Sequence, residues 1–358
     1  MNRLRRALYL LAVSLVVTLI ALVFRVLTAA GVFTDVRPQF AGTCRQVGGV
    51  SGVEGIRIDR EDGLVFVSSA RASGPDKRDG LYSLPLSRPE TGFTRLGGTP
   101  ASFHPGGLSL FRGGDGRLVL MAVDHPAGQD PAVEIFDVTV SNGRASLSQR
   151  ASITGGLLVS PYGVAAAGSD QFFVTNSSTS TTALGHALEM LALVPRGNVL
   201  YFDGNVFRVV ANGLGFASGI QLSPDGSHVY VATTIGRALY TFARAPVSGS
   251  LNQVDALTIG SGLDDIDFDE SGGLLVGAHP KLLDELLHQG DAKRRFPSQV
   301  FKVSLSAGVP RSAELVYGDP GTAISGAGVA AAGDGQLFIG SPRDSKVLVC
   351  RFASPTPR

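Results

Sequence analysis

With 358 residues, 44% of them hydrophobic, 17% charged and a net charge of +1, the chain has ample apolar material for a large core. It lacks the basic excess of a polyanion-binding surface, so no nucleic acid is expected among its partners. No nucleophile elbow, phosphate-binding loop or zinc signature occurs in it, which leaves serine-hydrolase, nucleotide-dependent and zinc chemistry without a motif.

In chain order, the first signal is Arg3, Arg5 and Arg6 ahead of an uncharged apolar run over residues 7–24. Such a run nearly spans a bilayer, and its basic flank favours the cytoplasmic side, so the chain after about residue 30 is expected in a periplasm, a lumen or the extracellular space. A cleaved signal peptide competes, because Leu27-Thr28-Ala29-Ala30 offers small residues to a peptidase; the run is longer than the usual signal core, which favours a retained signal-anchor. Cys44 and Cys350, the only two cysteines, stand near the ends of the exported part, and an even count in an exported chain reads as one disulfide.

A strand-turn-strand phrase then recurs six times. Its copies are Gly55-Ile56 through Asp62-Gly63, Gly107-Leu108 through Asp115-Gly116, Gly163-Val164 through Ser169-Asp170, Gly219-Ile220 through Asp225-Gly226, Asp265-Ile266 through Ser271-Gly272, and Gly328-Val329 through Asp334-Gly335. Each is followed by a second short apolar strand, so each predicts a β-hairpin by its period-two alternation and turn chemistry. The spacing leaves room for two further strands per unit, which is the pattern of a four-stranded blade. A β-sandwich would not need the same phrase six times. The expected fold is therefore all-β, a six-bladed β-propeller with an N-terminal transmembrane helix. Residues 1–30 form the basic flank and anchor, 31–43 a linker, 44–352 the propeller and 353–358 a tail. A short amphipathic stretch at 281–288 predicts one helical insertion covering a blade edge. Asn176-Ser177-Ser178 would be a glycosylation sequon only in a eukaryotic secretory lumen.

Inner strands of a propeller start beside the central channel, so the residue before each repeated glycine is a candidate to face its mouth. Those residues are Glu54, Gly106, Tyr162, Ser218, Asp264 and Ala327, with Asp265 in place of the fifth glycine. Three carboxylates and the Ser218 hydroxyl form a sparse oxygen set for a hard cation such as Ca²⁺. Alternatively, Asp264 and Asp265 are turn residues and Glu54 is solvated. His125 and His279 each close an apolar run and precede a proline, which suits either a place near the channel mouth or a loop-fixing hydrogen bond.

Several stretches together resemble the paraoxonase (arylesterase/lactonase) family: Phe103-His104-Pro105-Gly106-Gly107, Asp124-His125-Pro126, residues 209–230 with Gly215-Phe216-Ala217-Ser218-Gly219, Leu263-Asp264-Asp265-Ile266, Gly277-Ala278-His279-Pro280 and Leu348-Val349-Cys350. The resemblance implies a six-bladed propeller with two calcium ions, a disulfide joining its ends, a retained hydrophobic N-terminus and hydrolysis of small lactones and aryl esters. It places Glu54, Asp264 and Asp265 at catalytic-calcium positions, with Asp265 and Ser218 replacing asparagines, and His125 and His279 on family histidines near the site. Tyr162 replaces another asparagine, Gly106 replaces the first histidine of a proposed dyad, and Gly55 and Gly163 replace aspartates of the second calcium, whose site is expected to be lost. Two other readings remain: a propeller without catalysis that serves as a binding or scaffold module, and a metal-independent enzyme like the strictosidine-synthase propellers.

Overall fold

The chain was analysed as a computed structural model, which describes residues 3–71, 78–182, 184, 185, 189, 194–288, 290, 291 and 293–353. A helix, α1 (Arg3–Ala29), precedes 24 strands arranged as six antiparallel sheets of four. Each predicted hairpin forms the first two strands of one sheet. These inner pairs are β2 (Val53–Asp59) with β3 (Leu64–Ser69), β6 (Pro105–Arg112) with β7 (Leu118–Asp124), and β10 (Pro161–Ala166) with β11 (Phe172–Asn176). Then come β14 (Ala217–Leu222) with β15 (His228–Thr233), β18 (Gly262–Phe268) with β19 (Leu274–His279), and β22 (Val329–Gly333) with β23 (Gln336–Gly340). The turns follow the sequence chemistry: Gly63, at φ +63°, takes the left-handed conformation that other residues adopt only with strain.

Burial separates inner strands from outer ones. β7 is buried at every residue, whereas the outermost strand of the same blade, β9 (Arg144–Ile153), alternates between exposed and half-buried positions. Six apolar clusters lie between successive blades, among them Leu64, Phe66, Leu108 and Leu120 between the first and second, and Tyr230, Leu239, Ile266 and Val276 between the fourth and fifth. The core is thus a ring of inter-blade seams.

The last sheet closes the ring. The first strand, β1 (Gly42–Gly48), pairs with the final strand, β24 (Lys346–Phe352), and the register puts Cys44 opposite Cys350. The two are joined by a disulfide with a Cα–Cα distance of 3.9 Å, as the cysteine count led us to expect. Within α1, the stretch Arg5–Thr28 is long and apolar enough to cross a membrane, and its most apolar 18-residue window has no buried residue.

Candidate active site at the channel mouth

Five of the six inner strands are irregular where they begin. The register slips between Val53 and Gly55, Pro105 and Leu108, Pro161 and Val164, Ala217 and Ile220, and Leu263 and Ile266. An extra residue in one strand of an antiparallel pair re-aims its side chain, so these bulges turn the candidate positions towards the axis. The glycines beside them let neighbouring inner strands touch. A Cβ on Gly163 would stand 2.7 Å from the Ser218 carbonyl oxygen, and one on Gly219 would stand 2.3 Å from that of Asp264.

Glu54, Asp264 and His279 meet at this mouth. Asp264 is buried; its Oδ2 accepts a hydrogen bond from His279 Nε2 at 2.9 Å, and its Oδ1 is buried without a partner. A side chain on Gly328 would occupy this space, since its Cβ would lie 1.9 Å from Asp264 Oδ2. Burial and then the Asp264 carboxylate push Glu54 up to about 8. Burial pushes the His279 imidazole down, but the carboxylates of Glu285 and Asp264 outweigh it and hold it well above its ordinary value. His279 thus lies between two carboxyl groups that favour its charged form. Its Nδ1 stands 3.0 Å from Glu285 Oε2 as an ion pair without hydrogen-bond alignment, and Arg343 Nε lies 3.4 Å from the other Glu285 oxygen.

Glu285 comes from α2 (Leu282–Leu287), the predicted insertion. That helix supplies a carboxylate to the site, a role beyond the edge-covering one expected of it. Tyr162 stands beside the same carboxylates, and burial followed by Asp264 and Glu54 raises its hydroxyl well above 10.

The other expected ligands are engaged elsewhere. Asp265 is bound bidentately by Arg57, whose Nη1 and Nη2 lie 2.8 and 3.0 Å from its two oxygens, both side chains being buried. Arg57 also acts on Asp267: burial, partly offset by the Arg57 charge, lifts that carboxyl to about 6, while Gln221 Nε2 donates to Asp267 Oδ1 at 3.2 Å. Ser218 is fully buried, and its hydroxyl lies 2.9 Å from the Leu263 carbonyl and 3.1 Å from that of Ala232, which staples β14 to β18. Among the described residues, no group of three or more His, Cys, Asp or Glu side chains is gathered closely enough to hold a metal ion.

A cavity of about 330 Å³ opens at the mouth, lined by Glu54, His104, Gly106, His125 and Tyr162 among others. Burial, then the charge of His104, pushes His125 down, and its ring bonds to the Pro161 main chain. His125 and His279 thus occupy different neighbourhoods, His125 in the cavity wall and His279 behind Asp264. Asn176 is buried, with Nδ2 donating to the Leu157 carbonyl and to Asn198, which leaves no room for a glycan.

Sequence reasoning missed Arg57, Asp267 and Glu285. The first two had a signal: Ile56-Arg57-Ile58 and Ile266-Asp267-Phe268 set a charge inside an apolar inner strand, where it can only face the channel. Glu285 had none beyond its helix.

The arylesterase family model matches residues 90–352. Serum paraoxonase/arylesterase 1 of Rattus norvegicus is 29% identical over 327 residues, covering 88% of this chain and 90% of its own. Serum paraoxonase/arylesterase 2 of Bos taurus is 29% identical over 310 residues, covering 83% and 86%. Among solved structures, a luciferin-regenerating enzyme superposes with a TM-score of 0.55 at 14% identity, covering 87% of this chain and 95% of its own. A glucose dehydrogenase reaches 0.54 at 14% identity, covering 87% and 100%. The unlike names of these two structures limit that likeness to the propeller itself.

Proposed function

We propose, from the premise that the chain belongs to the arylesterase family, that it hydrolyses small carboxylic esters or lactones at the channel mouth. The observation that carries this reading is a cavity of about 330 Å³, sized for such a substrate, whose wall includes Glu54, with the buried Asp264 carboxylate acting on Glu54 from behind and keeping one oxygen without a hydrogen bond. An orphaned buried oxygen carries a desolvation penalty that a cation or a polar substrate atom would relieve.

Glu54 and Asp264 would supply at most two protein carboxylates to one hard cation, leaving most of its shell to water. Asp265 and Ser218, expected as further ligands, contribute here from behind: Asp265 through its pair with Arg57, and Ser218 by fixing the β14–β18 contact. So thin a set corresponds to calcium binding in the range of about 10⁻⁴–10⁻³ M. A second calcium has no carboxylates at Gly55 and Gly163 to hold it. When bound, calcium would supply a Lewis acid for the carbonyl oxygen of the substrate. The residues themselves do the rest. His279 donates to Asp264 and fixes its rotamer, Glu285 and Arg343 hold His279, and His125 and Tyr162 wall the cavity against bulk water.

In the same reading α1 is a retained signal-anchor, and the propeller, 44–352, lies on the oxidising side of the membrane, where its disulfide persists. Recovery of the chain with membranes after carbonate washing is expected, whereas a mature N-terminus near Gly31 would overturn the anchor. The function is tested with phenyl acetate and γ- and δ-lactones on the full chain in detergent with millimolar calcium. Asp264→Asn should lower kcat/KM by about 10²–10³-fold. Absence of any turnover by the unmutated protein would sink the hydrolase and favour a binding module.

A further inference from the structure

One side chain in the cavity wall, His104, and the buried aspartate behind it have no part in the chemistry above. His104 sits immediately before β6, and its main chain is pinned from both sides: its N–H donates to Asp124 Oδ1 at 2.8 Å, and its carbonyl accepts from His125 N at 3.1 Å. Its ring Nδ1 lies 2.9 Å from Asp79 Oδ2. Asp79 is buried, its side chain 3% exposed, and its Oδ1 accepts the Arg71 N–H at 3.2 Å while its own carbonyl takes Arg95 Nη2 at 2.8 Å. The His104 side chain is 27% exposed and lines the cavity.

A carboxylate on Nδ1 selects the tautomer with its proton there. The lone pair of Nε2, on the opposite edge of the ring, is then left basic and faces away from Asp79. His125 lines the same cavity without any such carboxylate, and its ring bonds to a main-chain group. A histidine held on one ring nitrogen by a buried aspartate, in the wall of a substrate-sized cavity, is the arrangement general-base catalysis requires.

We propose that His104, oriented by Asp79, is the general base that activates the hydrolytic water, an inference that rests on the hydrolase reading of this site. The water oxygen bonds to the acyl carbon as Nε2 takes its proton and the carbonyl π pair moves onto oxygen. The adduct then collapses, the acyl C–O bond to the leaving group breaks, and the departing alkoxide or phenoxide takes the proton from Nε2. The imidazole ends neutral, and the products are an acid and an alcohol, or one hydroxy acid from a lactone.

Charged groups around the dyad are Asp124 beneath the His104 main chain, His125 beside it, Glu54 across the cavity, and Arg71 and Arg95 on the Asp79 side. The test is phenyl acetate hydrolysis by the full chain across pH. His104→Gln should lower kcat by about 10²–10⁴-fold with KM little changed, and remove the acid limb of the profile. His104→Ala should regain activity on addition of free imidazole, which a structural role would not allow. Asp79→Asn should lower kcat by less than His104→Gln does, because the ring stays in place but its proton is no longer held on Nδ1. Unchanged kcat and acid limb in a folded His104→Gln protein would overturn the dyad while leaving the hydrolase intact. No turnover by the unmutated protein would remove both.

Discussion

Asp264 and Asp265 are consecutive in β18, yet the bulge there delivers them to two neighbourhoods of the channel that handle charge in opposite ways. Asp265 meets the Arg57 guanidinium in a two-pronged pair, with Asp267 and Gln221 completing a buried polar plug. Asp264 meets the His279 ring on one oxygen and has no hydrogen-bond partner on the other, with Tyr162 and Glu54 raised beside it. Where the chain supplies its own cation, the carboxylate is satisfied and structural; where it does not, the unmet charge is available to a ligand. Two levels of one channel are thus divided between architecture and chemistry by the placement of a single arginine.

That division can be broken from the plug side. Arg57→Met strips the cation from two buried carboxyls and should cost about 3–5 kcal/mol in urea unfolding, while adding Asp265→Leu should recover most of it. Equal costs for the single and double variants would show that the pair does not act as a unit.

The mouth should announce itself in the pH dependence of stability, measured without divalent cations. Glu54 and Asp267 both have folded pKa values raised above the unfolded ones, so each makes the folded state the more protonated and makes stability fall as pH rises through its window. For Asp267 that window ends near 6, and for Glu54 near 8. Glu54→Gln should flatten the decline between pH 6 and 8, on the order of 3 kcal/mol, and make it shallower, without removing it, below 6, where Asp267 also contributes. A decline unchanged by the substitution would assign it to other groups. The smallest signal is protonic: calcium binding at pH 7 should release roughly one proton, and almost none at pH 9, read by titration calorimetry in buffers of different ionisation enthalpy. No difference between the two pH values would detach Glu54 from the ion.

The blades were legible from sequence because their signals are local. Asp62-Gly63 lies between β2 and β3, and Asp334-Gly335 between β22 and β23, so period and turn stand side by side in the chain. The mouth was legible only as positions, through the residue before each repeated glycine, which picked out Glu54 and Asp264. What those carboxylates do depends on partners far away in sequence: Arg57 and Asp265 are 208 residues apart, and His104 and Asp79 belong to different blades. A ring brings such residues together by closing, and no local pattern records which of them will meet.

The closing sheet also sets a timetable. β1 pairs with β24, and their linked cysteines are 306 residues apart, so the first strand is synthesised long before its partner exists. Until then β1 presents a bare edge, open to pairing with other chains. The bond that joins Cys44 to Cys350 therefore comes last, as a lock on a ring already complete.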